Sequence, residues 1–122
     1  MKKLILLSSF LFSLISYSQT EKLIGEWTNC ESTCDGITMN RNVCTKIEFK
    51  SNHTAIITYP GAVENLKWKL TDNVITFASI EKEEKNSLFS SSKTYLLIFN
   101  ATFKELSIME QGKEKCYELL LR

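Results

Sequence analysis

The chain has 122 residues, 43% of them hydrophobic and 24% charged, with a formal net charge of +1. That supports one folded domain around one core. A balance this close to neutral excludes the electrostatic footprint of a nucleic-acid or anionic-membrane binder.

Met1-Lys2-Lys3 is a short positive segment, and residues 4–15 form an apolar run broken only by serines. Ser16 and Ser18 put small residues where a signal peptidase reads. Residues 1–18 are therefore expected to be a signal peptide cleaved before Gln19, and residues 19–122 the folded domain. The apolar run is shorter than the roughly 20 residues that span a bilayer. No cysteine sits at the cleavage point, so neither a membrane helix nor a lipid anchor is expected. The protein is expected to be exported, either to the periplasm or out of the cell.

The four cysteines are Cys30, Cys34, Cys44 and Cys116. An even count in a small exported domain predicts two disulfides. Zinc is the competing use, and the spacing of Cys30 and Cys34 would tolerate it. Cys44 and Cys116 form no second close pair, however, and the single histidine, His53, lies elsewhere. Neither a metal nor another cofactor is expected.

Beyond the leader the dominant period is two. Residues 21–29 alternate loosely, and Trp27, if inward, takes Gly25 and Asn29 with it and turns Cys30 outward. Residues 31–43 are rich in Ser, Thr, Asp, Asn and Gly and have no sustained period, so they are expected to be a loop. Residues 44–49 form a strand with Ile47 and Phe49 on one face. Ser51-Asn52 is a turn, Thr54–Tyr59 a β-branched strand, and Pro60-Gly61 a break. Residues 64–70 alternate, with Leu66, Trp68 and Leu70 on one face and Lys67 and Lys69 on the other. Asp72-Asn73 turns the chain into Val74–Ser79. Residues 81–92 are expected to be a long connection, with Leu88 and Phe89 either tucked over a rim or serving as a mobile lid or partner contact. Residues 93–99 place Tyr95, Leu97 and Phe99 together, residues 104–109 pair Leu106 with Ile108, and residues 115–121 align Tyr117, Leu119 and Leu121.

Eight short strands with hairpin connections, and no helix beyond the leader, predict an all-β fold. The expected form is a single antiparallel up-and-down eight-stranded β-barrel, which leaves no free edge. In such a barrel the first and last strands are antiparallel neighbours. That order predicts Cys30 bonded to Cys116, with Cys34 bonded to Cys44 to close the first loop.

Gly25 and Trp27 on the first strand, the eight short strands and the terminal segment ending in Arg122 resemble the bacterial lipocalin-like proteins. The resemblance implies that Trp27 sits at the closed floor of the barrel and that Arg122 packs across it in a cation–π contact. It implies a small-molecule binding function, and on the residues themselves no enzymatic activity is expected. The lining set expected from parity is Phe49, Leu66, Trp68, Tyr95, Leu97, Phe99, Ile108 and Tyr117, with Leu70 and Leu119 beside them. So many large side chains can either line an apolar pocket or fill the barrel completely.

Two functions remain open at this level. One is a binder of a small apolar molecule, in the barrel or at its mouth. The other is a disulfide-braced interaction module or hydrolase inhibitor with a protein partner at its long loops. No nucleic acid, no stable membrane anchor and a monomeric state are expected for either. No nucleophile–base pair, glycine-rich phosphate loop or metal cluster is present to support catalysis. Asn52-His53-Thr54 and Asn100-Ala101-Thr102 match the glycosylation sequon, and in a bacterial protein they read as turn residues.

Overall fold

A computed structural model describes residues 19–80 and 87–122. The expected leader and the charged run over residues 81–85 lie outside the described residues. Eight strands close into an up-and-down barrel, each hydrogen-bonded to the next and the last to the first. They are β1 (Gly25–Cys34), β2 (Ile37–Phe49), β3 (Thr54–Tyr59), β4 (Ala62–Thr71), β5 (Val74–Ser79), β6 (Thr94–Phe99), β7 (Glu105–Glu110) and β8 (Cys116–Leu121). All pairings are antiparallel.

The inner face follows the period-two pattern. Trp27, Ile47, Phe49, Ala55, Ile57, Leu66, Trp68, Ile75, Phe77, Leu97, Leu106 and Ile108 are buried in one continuous cluster. Their outward neighbours, such as Lys46, Glu48, Lys67 and Lys69, are exposed. Burial of so many large apolar side chains is the main source of stability here, at about 1.5–3 kcal/mol for each large side chain fully removed from water.

One helical turn over residues 19–23 precedes β1 and closes the floor. Leu23 from that turn is fully buried, and its carbonyl accepts the indole N–H of Trp27 at 2.8 Å. Arg122 comes from the opposite chain end. Its guanidinium lies 4.1 Å from the Trp27 ring centroid, and its Nη2 donates to the carbonyls of Lys22 and Ile24 at 2.8 and 3.0 Å. Gly25 has φ +131°, and a Cβ there would meet Arg122 Nη2 at 3.4 Å. The glycine thus serves both the backbone turn and the close approach of the arginine.

The region over residues 31–43 is not a loop. β1 runs on through Cys34, Asp35-Gly36 turns with positive φ at both residues, and β2 begins at Ile37. This is the two-residue hairpin turn that suits the twist of paired strands. The segment shows no hydrophobic alternation because much of it projects beyond the core. Ile37, Met39 and Val43 are all more than half exposed.

The disulfide expectation is corrected by the same extension. Cys30 bonds Cys44, and Cys34 bonds Cys116, with Cα separations of 4.5 and 4.0 Å. The β1–β2 register jumps from Asn29↔Thr45 to Glu31↔Asn40, so Cys30 stands at an irregularity opposite the stretch that contains Cys44. Further along β1, Cys34 is the direct partner of Cys116 on β8. The expected parity of β8 is corrected as well, because Leu120 pairs with inward Asn29 on one side and inward Leu106 on the other. Leu120 is fully buried, Glu118 pairs with Ile108, and Leu121 is 38% exposed. Tyr117 and Leu119 are accordingly only partly buried and lie outside the core cluster. Three consecutive leucines carry no period, so this strand's parity was set by its neighbours.

Candidate functional site

The open end of the barrel carries the β1–β2, β3–β4 and β7–β8 turns and the β5–β6 connection. The β5–β6 ladder is short, pairing Val74, Ile75 and Thr76 with Leu96, Tyr95 and Thr94 and going no further. β5 itself runs on to Ser79 along β4, and Phe89 of the connection is turned inward. Phe89 is 1% exposed and stacks on Phe77 with ring centroids 4.4 Å apart, while Tyr95 meets both rings edge-on. The Tyr95 hydroxyl accepts the Ser90 amide at 2.8 Å. Leu88 and Phe89 thus take the tucked position over the rim.

Above this aromatic plug is a cavity of about 320 Å³. Its apolar wall is formed by Leu88, Phe89, Tyr95, Ile108 and Tyr117, with the Cys34–Cys116 bridge at one side. Its polar wall comes from Ser32, Glu118, Lys93 and Glu110. Two arrangements fix those polar groups. Glu118 Oε2 accepts from Arg41 Nη2 at 2.9 Å, from Ser32 Oγ at 2.6 Å and from Asn29 Nδ2 at 3.1 Å. Fully buried Asn29 also accepts from Arg41 Nη1 at 3.0 Å, so the network ties β1, β2 and β8 together across the closing seam. On the other side Lys93 pairs with Glu110 at 2.8 Å and Lys113 with the same carboxylate at 3.6 Å. The hydrogen bond from Lys93 holds the Glu110 carboxyl below its ordinary range, and the same contact pushes the Lys93 ammonium up.

Of the lining residues expected from parity, Tyr95, Ile108 and Tyr117 border this cavity. Phe49, Leu66, Trp68 and Leu97 lie in the packed core below it, and Phe99 packs partly buried against that core. Phe49 meets Trp68 edge-on at 6.0 Å, and Phe99 lies 6.2 Å from Trp27. Leu70 is likewise packed against the core cluster. His53 is an exposed turn residue with positive φ, and its ring stacks on Trp68 at 4.6 Å. Asn52 and Asn100 both use their side-chain oxygens within turns, accepting from Thr54 and from the Lys104 and Glu105 amides.

A second polar group was not expected from the sequence. Glu64 is 5% exposed, and its Oε1 accepts from the Tyr59 hydroxyl at 3.0 Å and lies 2.7 Å from Ser87 Oγ. The Tyr59 oxygen in turn accepts the Leu88 amide at 2.8 Å. Burial, reinforced by the Glu64 carboxylate and opposed by the Leu88 amide, pushes the Tyr59 hydroxyl up to about 12. The signal was present on β4, where Glu64 has the same parity as Leu66, Trp68 and Leu70.

No group of three or more His, Cys, Asp or Glu side chains placed to hold a metal ion occurs among the described residues. No helix among them is long and apolar enough to cross a membrane. Comparison with protein-family models, curated proteins and solved structures finds no match to this chain.

Proposed function

We propose that this protein is an exported, lipocalin-like barrel that binds a small apolar molecule at its mouth. The observation that carries the reading is the 320 Å³ cavity, with an aromatic and aliphatic wall and a few fixed polar groups. That combination suits a small-molecule site, in which apolar area supplies affinity and placed polar atoms supply orientation. Lipocalin-like membership is supported by the closed eight-stranded topology and by the Trp27–Arg122 floor. Two disulfides fit a non-reducing compartment, in keeping with export to the periplasm or beyond. The reading assigns no catalytic step and no cofactor.

Native mass spectrometry of the protein purified from its own host tests this. The expected result is a reproducible extra mass of a few hundred daltons, in keeping with a pocket of this kind, that is lost on denaturation. The bare disulfide-bonded mass, together with no uptake of added apolar probes, would count against the reading.

A second reading is favoured by a different observation. The projecting β1–β2 hairpin exposes Ile37 and Met39 at 69% each and Val43 at 60%. They suit an interaction module or inhibitor that offers this hairpin to a protein partner. Charged replacements at these three positions would abolish such an interaction and leave small-molecule uptake unchanged.

A further inference from the structure

At the closing seam one row of side chains crosses four strands. Glu118 pairs with Ile108 on β7 and with Ser32 on β1, and Ser32 pairs with Met39 on β2. Residues directly opposite one another in antiparallel strands share a face of the sheet. Ile108 is 2% exposed, which marks that face as the inner one. One step nearer the hairpin tip, Cys34 pairs with Cys116 on one side and with Ile37 on the other. Ile108, Glu118, Ser32 and the Cys34–Cys116 bridge all border the mouth cavity. Met39 and Ile37 therefore stand one strand further out along the same wall, and both are 69% exposed. The cavity and this side of the hairpin form one surface, with the disulfide between them.

Size and charge restrict what that surface can take. At about 320 Å³ the cavity is near the lower limit for small-molecule sites, with roughly the space of ten waters. A ligand of ordinary size overflows it, and the wall that continues beyond it is Ile37 and Met39. The charged side chains of the cavity wall already have partners, Glu118 in Arg41 and Lys93 and Glu110 in each other. A charged ligand would have to break one of these pairs or go without a partner. We propose that Ile37 and Met39 are the outer half of the binding site, and that the ligand is an elongated, uncharged apolar chain. One end lies against Phe89 and Tyr95, and the rest passes over the Cys34–Cys116 bridge onto the hairpin. This inference rests on the small-molecule reading above and adds the shape of the ligand and the residues that select its length. Exposed apolar side chains of this kind mark contact surfaces, and here the contact is to the ligand.

The test uses the purified, oxidised protein and four straight-chain alcohols: hexan-1-ol, octan-1-ol, decan-1-ol and dodecan-1-ol. Binding is read by displacement of the neutral dye N-phenyl-1-naphthylamine and by calorimetry. Affinity is expected to rise about two- to fourfold per added methylene through the whole series, the scale of burying that group. In the double variant Ile37→Ser, Met39→Ser the rise is expected to persist to octan-1-ol and then stop, so that dodecan-1-ol loses about tenfold or more. Both positions are exposed, and such substitutions leave a fold in place. Val43→Ser is the control. Val43 is 60% exposed on the same hairpin but lies between Asn40 and Thr45, in the stretch that β1 does not pair, and its loss is expected to leave the series unchanged. A double variant with the wild-type gradient, a wild-type gradient that ends at octan-1-ol, or an equal loss in Val43→Ser overturns the part assigned to Ile37 and Met39 and leaves the cavity reading standing. Tighter binding of decanoate or decylamine than of decan-1-ol overturns the uncharged class. Binding of neither the dye nor any alcohol overturns both readings.

Discussion

Arg122 shows how one side chain at a chain end can organise the opposite end. It covers the Trp27 indole and donates to carbonyls of the turn that precedes β1. Arg122→Ala is expected to cost about 1–3 kcal/mol, from a lost cation–π contact and from carbonyls left without a charged donor. Urea unfolding monitored by tryptophan fluorescence measures that loss, and Arg122→Lys is expected to recover only part of it. Tyr59 is the second instructive residue. Its hydroxyl pKa is raised in the fold from 10.0 to about 12, so folding favours the protonated form. That stabilisation is complete below pH about 10 and is lost as pH rises through about 12. Tyr59→Phe removes the bond to Glu64 and the acceptor of the Leu88 amide, at an expected cost of about 1–3 kcal/mol near neutrality. The stability gap between wild type and Tyr59→Phe is expected to narrow above pH about 10, and a gap that stays constant to pH about 12 would contradict the assignment.

Among the elements, the β1–β2 hairpin departs furthest from a simple barrel strand pair. Its irregular register carries Cys30 to Cys44, and its extension carries Cys34 to the last strand. The two bridges differ in the chain they enclose, with sequence separations of 14 and 82. In the chain-entropy model these loops correspond to about 3 and about 4.5 kcal/mol. Replacing both Cys34 and Cys116 by alanine is therefore expected to lower the unfolding midpoint more than replacing Cys30 and Cys44. A non-reducing digest checks the connectivity first, and a fragment joining the Cys30 and Cys116 peptides would contradict the pairing. The β5–β6 pair departs in the opposite direction. Its ladder ends at Thr76, and the inward connection fills the space with Phe89 instead of a strand contact.

For the molecule as a whole, the decisive fact is that the barrel is filled. Aromatic side chains from β2, β4, β5 and β6 and from the β5–β6 connection occupy the interior, and open space remains at the mouth. A ligand on this plan is small and lies partly outside the wall, unlike one swallowed by a wide barrel. The extra mass expected in native mass spectrometry should accordingly be at the lower end of the range for pocket ligands. It should exchange readily with added probes, since no packed layer has to open first.

The architecture was legible in the sequence wherever one face of a strand is buried and the other wet. That condition imposes a period of two, and it holds for β3, β4, β5 and β6 with turn residues between them. Four cysteines in a short chain with a leader-like start were enough to expect two disulfides. The tertiary structure decided what alternation could not encode. The projecting hairpin has too little buried face to leave a period, and the last strand is apolar on both sides, so its neighbours set its parity. The disulfide partners followed from that register. Glu64 and Ser79 had the inward parity of core residues from the start, but only closure of the barrel showed that each holds a buried oxygen with no partner among the described residues. A sequence states which side chains share a face, and packing alone determines whether the face is filled, open or short of a partner.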